Sequence, residues 1–146
     1  SSTPALALLS GWGNWTGAIA TTVSHDSHNL QVFGVSPGDM ALAANTVIDS
    51  QGGVAVVRGG EGLASIALPI AGLLSDRPLD EVVAAQHALD AAAREVGEFS
   101  PIIPHVIFQA FVMSLPCLPG PHLTDRGLVD GTTGEIIDSL LVGTAA

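Results

Sequence analysis

The sequence predicts an α+β domain, a mainly antiparallel β-sheet of about five to seven strands flanked by two or more α-helices. Three observations predict it. The chain opens on two short β-rich runs separated by a polar cluster, two stretches of helical period follow, and strand-like segments return towards the end, with no regular βαβ alternation. That order suits helices covering one side of an antiparallel sheet. With 146 residues, 47% of them hydrophobic, the chain can bury a real core and has the size of one domain, residues 1–146.

Ala18 to Ser24 is rich in Ala, Ile, Thr and Val, and Leu30 to Val35 resumes that composition after His25-Asp26-Ser27-His28-Asn29, so two strands joined by a polar turn are expected. Ser36-Pro37-Gly38-Asp39 has the form of a helix start, with Ser as the cap and Pro at the first helical position. Met40, Ala44, Val47 and Ile48 follow at helical spacing, and Gly52-Gly53 ends the run. Val54 to Val57 and Leu63 to Ile70 then read as a hairpin around Gly59-Gly60-Glu61-Gly62. A phosphate cradle would need this glycine loop to lead into a helix, and here it leads into a strand.

Pro78 opens the strongest helical pattern, in which Val82, Val83, Gln86, Leu89, Ala93 and Val96 follow the 3.6-residue period and Gly97 ends it. His87 borders this stripe as a surface or boundary residue. Val106 to Met113, bracketed by prolines, fits a buried strand or a helical turn and is read as the strand, and after the turn Thr124-Asp125-Arg126-Gly127 the segments Leu128-Val129 and Glu135 to Val142 supply one or two last strands.

Composition narrows the function. Fourteen acidic residues face four arginines and no lysine, a formal net charge of −10. Nucleic acid is a poor partner for such a chain, because polyanion binding draws on clustered cations. Without lysine, Schiff-base and P-loop chemistry are excluded as well. Polar residues or glycine and proline interrupt every apolar run before the length of a bilayer span, so no membrane partner is expected. The single Cys117 can form no intramolecular disulfide and fits a cytoplasmic protein with an inert buried thiol. The first residues carry neither an initiating Met nor a basic region, which reads as part of a longer protein rather than as a secretion signal.

Chemistry is most concentrated in Ser24-His25-Asp26-Ser27-His28-Asn29. Three readings of it stand side by side. It is a hairpin turn whose polar side chains satisfy their own backbone, or a loop that faces a ligand, or an autonomous metal or Ser-His-Asp site. The last is poorly equipped: three candidate ligands in four residues make an incomplete set, and neighbouring His25 and Asp26 point to opposite faces of an extended chain. Trp12 and Trp15 could stack on a planar ligand or pack in a core or interface. Asp76-Arg77 and Asp125-Arg126 read as polar turns.

Gly17-Ala-Ile-Ala-Thr-Thr-Val-Ser-His-Asp-Ser-His-Asn29 resembles the C-terminal region of bacterial adenine deaminases of the amidohydrolase superfamily. So do Asp39-Met-Ala-Leu-Ala-Ala-Asn45, Gly52-Gly-Val-Ala-Val-Val57, Leu68-Pro-Ile-Ala-Gly-Leu-Leu-Ser-Asp76, Leu115-Pro116 and Leu123-Thr-Asp-Arg-Gly-Leu-Val-Asp130, in the family's order from Gly11 to Asp130. The resemblance implies a parent hydrolase of purine metabolism, with a metal-bearing barrel domain, a small β-domain and this domain at its C-terminal end, converting adenine and water to hypoxanthine and ammonia. The divalent metal, of the Mn, Fe or Zn type, would lie on the barrel; no cofactor, metal ligand or catalytic residue is implied in this chain, which alone is expected to be inactive. Two roles follow from the resemblance. In one, His25, Asp26, Ser27, His28 and Asn29 form a substrate-proximal loop that orders adenine or caps the barrel mouth. In the other, the domain is a structural module whose apolar surface meets the barrel or a second subunit in a homo-oligomer.

Overall fold

A computed structural model describes residues 13–25, 28–99, 105, 108, 109, 112, 115, 120–124 and 126–137. They fall into two compact units, residues 11–113 and residues 1–10 with 114–146. In the larger unit, strands β1 (Ala18–Thr21), β2 (Gln31–Gly34), β3 (Gly53–Arg58) and β4 (Glu61–Ala67) form one antiparallel sheet in the order β2-β1-β3-β4. Registers such as Ile19 against Phe33 and Val56 fix which side chains share a face. The hairpin between β3 and β4 turns on Gly59 and Gly60, both at positive φ, which matches the twist of the strands it joins.

Helix α1 (Pro37–Asp49) starts where Ser36 Oγ accepts the Asp39 N–H at 3.4 Å, with Pro37 at the first position as expected. It buries Ala43 and Val47 against Ala18, Ala20, Ala55 and Val57. Helix α2 (Leu79–Val96) buries Leu89, Ala92, Ala93 and Val96 against Ile19, Val54, Val56, Ile66 and Leu68. Along β1 and β3 these two sets alternate, so the helices lie on opposite faces of the sheet. The expectation of helices on one side is therefore corrected: β1 and β3 are buried on both faces, and each face requires its own cover.

Two local expectations also change. All the buried residues of α2 lie from Leu89 onward, and Val83 at the start of its apolar stripe is 44% exposed. Val82 and Ala85 in its first half are half-buried against the core, whereas Val83 points away from it. Gly97 does end α2, yet its φ of −151° is ordinary extended backbone. Glycine eases a tight contact there, because a Cβ would sit 3.0 Å from the Trp15 ring and 3.1 Å from the Phe99 ring. Trp15 itself packs at 5.3 Å on Phe99 at the margin of the core, and His87 is on the surface.

The strand expected over Val106 to Met113 is contradicted. Phe108, Gln109 and Val112 are helical, and the Gln109 N–H donates to the His105 carbonyl four residues back. Apolar runs this short carry no decisive period, which is why the segment was ambiguous. In the smaller unit, β5 (Pro121–Thr124) and β6 (Gly127–Asp130) form a hairpin around the expected turn, and Ile136 bridges to Val129. Strand β5 had gone unread, since its Pro-Gly-Pro approach suggests loop. Cys117 and residues 138–146 lie outside the described residues. No helix of the described residues is long and apolar enough to cross a membrane.

Candidate functional site

The polar cluster sits at one end of the larger sheet, where β1 and β4 finish and β2 and β3 begin. Thr22, directly after β1, ties that end together. Its Oγ1 accepts the Gly53 N–H at 2.8 Å and donates to the Gly72 carbonyl at 2.7 Å, while its own N–H donates to the Gly53 carbonyl at 3.0 Å. Close backbone approach is what the glycines permit. A Cβ on Gly53, at φ +141°, would lie 2.0 Å from the Ile66 carbonyl oxygen, and Gly72 at φ +74° faces Thr22. The turn holding Gly72 is closed by a reciprocal pair of bonds between Ile70 and Leu74, each 3.1 Å.

From this brace the chain enters the loop. Thr21 Oγ1 accepts the Val23 N–H at 3.0 Å, and Ser24 is buried. The Ser24 N–H donates to His28 Nδ1 at 3.2 Å, and the His28 N–H donates back to the Ser24 carbonyl at 2.6 Å. An accepting Nδ1 leaves the proton of the neutral ring on Nε2. His28 adopts φ +50°, a left-handed conformation that is uncommon outside glycine and in which asparagine, aspartate and histidine are the side-chain-bearing residues found most often. The His25 and His28 rings lie 5.2 Å apart at 51°, with His25 and Asn29 exposed and His28 half-buried. The structure thus brings His25 and His28 together, with Asn29 exposed next in the chain; Asp26 and Ser27, named with them from sequence, lie outside the described residues.

Just beyond, at the start of β2, Gln31 holds its Oε1 buried without a hydrogen-bond donor. An unsatisfied buried acceptor is costly and marks a place where an N–H is missing. Sequence reasoning passed over Gln31 and Thr22, because neither residue type stands out without knowledge of its surroundings. Asp39 was read only as part of a helix start. It is also buried, and its carboxylate accepts the N–H groups of Gly59 and Gly60 at 3.0 and 2.7 Å, fastening α1 to the β3–β4 hairpin at the far end of the sheet.

Among the described residues no three His, Cys, Asp or Glu groups converge, and His28 Nδ1 is already engaged. What the loop offers is hydrogen-bonding capacity of both polarities at an accessible edge.

Residues 1–135 match the family model described as the adenine deaminase C-terminal domain. The chain belongs to this family. It is 51% identical over 98% of its length to adenine deaminase 2 of Rhizobium meliloti (strain 1021), 50% identical over 95% to adenine deaminase of Serratia proteamaculans (strain 568), and 45% identical over 91% to adenine deaminase of Moorella thermoacetica (strain ATCC 39073 / JCM 9320). It spans only 24%, 23% and 22% of those three proteins, so as an adenine deaminase C-terminal domain it corresponds to about a quarter of a longer chain.

Proposed function

We propose that this domain completes an adenine deaminase, a hydrolase that converts adenine and water to hypoxanthine and ammonia, with the chemistry carried by a barrel domain outside this chain. The match of residues 1–135 to the adenine deaminase C-terminal domain carries the proposal. The divalent metal that activates water belongs to that barrel. In this reading His25, Asp26, Ser27, His28 and Asn29 stand at the active-site opening and order the purine or close over it, in a cytoplasmic enzyme. Adenine presents ring nitrogens that accept and an exocyclic amine that donates; imidazole N–H and Asn groups meet the first, carboxylate and carbonyl oxygens the second.

The second reading makes the loop purely structural. The reciprocal bonds between Ser24 and His28 favour it, since a loop closed on itself needs no ligand to be ordered. Ammonia release from adenine tests the framework: the full-length protein should turn over, and the 146-residue chain supplied with divalent metal should match a blank. Turnover by the short chain would place the chemistry in this domain.

A further inference from the structure

Among the described residues, exposed large apolar side chains are densest between the end of β4 and the second turn of α2: Ile70 is 49% exposed, Leu74 61%, Leu79 78% and Val83 44%. Ile70 and Leu74 face one another as a hydrogen-bonded antiparallel pair, so their side chains share one face of the turn. Leu79 and Val83, four residues apart, share the exposed face of the first turns of α2. Both pairs belong to the same end of the larger unit as the histidine loop, and Thr22 bonds the turn directly to the strand that leads into that loop. Single exposed leucines are ordinary; four gathered at one end of a small domain mark a contact surface.

We infer that this surface is the seat of the polypeptide that precedes the domain in the full-length protein, and that docking there presents the histidine loop to its neighbour. Two observations select that occupant. The chain matches a C-terminal domain and about a quarter of its relatives' length, so some three quarters of such a protein lies on the N-terminal side and is tethered to this surface. The rim also argues against a second copy. Asp76, Asp80 and Glu81 border the patch, and Arg77, the one cation among them, is committed to Glu81 at 3.4 Å. Two copies, each with a net charge of −10, would set like rims against each other, whereas an apolar surface edged with basic groups would complement this one. The inference rests on reading the chain as the end of a longer adenine deaminase, but not on any role of the loop in turnover.

Hydroxyl-radical footprinting of the full-length protein tests it, with each residue's oxidation rate normalised to its rate in denaturant. Val35, 63% exposed at the opposite end of the sheet, and Leu42, 36% exposed on the helix that covers the other face, serve as internal references. Leu74, Leu79 and Val83 should oxidise at least about fivefold more slowly than those references, as for side chains in the dry centre of an interface. The protection should be independent of protein concentration, and the double substitution Leu79→Glu with Val83→Glu should raise the rate at Leu74 to the reference level. Equal rates at patch and reference positions overturn the inference, and so does protection that vanishes on dilution, which would assign the surface to a second copy. Oxidation rates report docking alone, so loss of turnover in a loop variant leaves this result untouched.

Discussion

Replacing Thr22 by Val keeps the shape of the side chain and removes only its hydroxyl. Two groups feel the loss directly, the Gly53 N–H at 2.8 Å and the Gly72 carbonyl at 2.7 Å, and through them the junction of β1, β3 and the turn after β4. A hydrogen bond contributes about 0.5 to 1.5 kcal/mol net, and a sheltered donor left bare costs about 1 to 3 kcal/mol. The site is only part-buried, so the lower half of these ranges applies, and Thr22→Val should cost about 2 kcal/mol. For a unit of this size that lowers Tm by roughly 8 to 16 °C, read by circular dichroism. Thr22→Ser keeps both bonds and removes one methyl group, worth about 0.8 kcal/mol at most when fully buried. The order wild type, Ser, Val is therefore expected. Amides of Ser24 and His28 should exchange faster in the Val variant, since Thr22 anchors the strand that carries them. A Val variant as stable as wild type, or a Ser variant that falls equally far, would refute the brace.

The backbone makes a sharper contrast. Gly53→Ala should cost about 3 kcal/mol or more, because its Cβ would collide with the Ile66 carbonyl at a φ of +141°, while Gly59→Ala, with open space around it, should cost only about 1 kcal/mol; equal melting temperatures for the two would contradict the close approach. In the smaller unit, the N–H groups of Thr132 and then Thr133 bond the Asp130 carboxylate and hold its pKa below 3.8. A depressed carboxylate contributes stability that is fully present above its unfolded value and is lost as pH falls through the folded one. The Thr132 amide shift should accordingly titrate with a midpoint below 3.8, and a midpoint at or above that value would remove these bonds from the account.

Elements whose signals are local were legible in the sequence. The Ser36-Pro37 start of α1, the double-glycine hairpin and the Gly97 stop all stand where chain chemistry dictates. What failed needed tertiary knowledge. Ala18, Ala20, Ala55 and Val57 read as ordinary strand residues, and nothing in the alternation says that a helix covers each side of them. The run Val106 to Met113 was too short for its period to decide between helix and strand. The same division holds at the candidate site. A row of six polar residues between apolar strands declares itself, but Thr22 acquires its role only once Gly53 and Gly72, distant in sequence, are brought against it. Gln31 is an ordinary strand residue until its Oε1 is found buried without a donor.

In the function proposed above, the histidine loop of this adenine deaminase C-terminal domain acts on the purine in the full-length enzyme. The kcat for adenine of the His25→Ala and Asp26→Ala variants of that enzyme, measured beside their melting temperature and metal content, tests it most directly. Loss of one well-placed hydrogen bond in the transition state corresponds to about 1 to 3 kcal/mol, or roughly ten- to hundredfold in rate. The account predicts that fall in kcat with melting temperature and bound metal unchanged. Full activity with a lowered melting temperature in both variants would contradict it and leave the loop a structural turn.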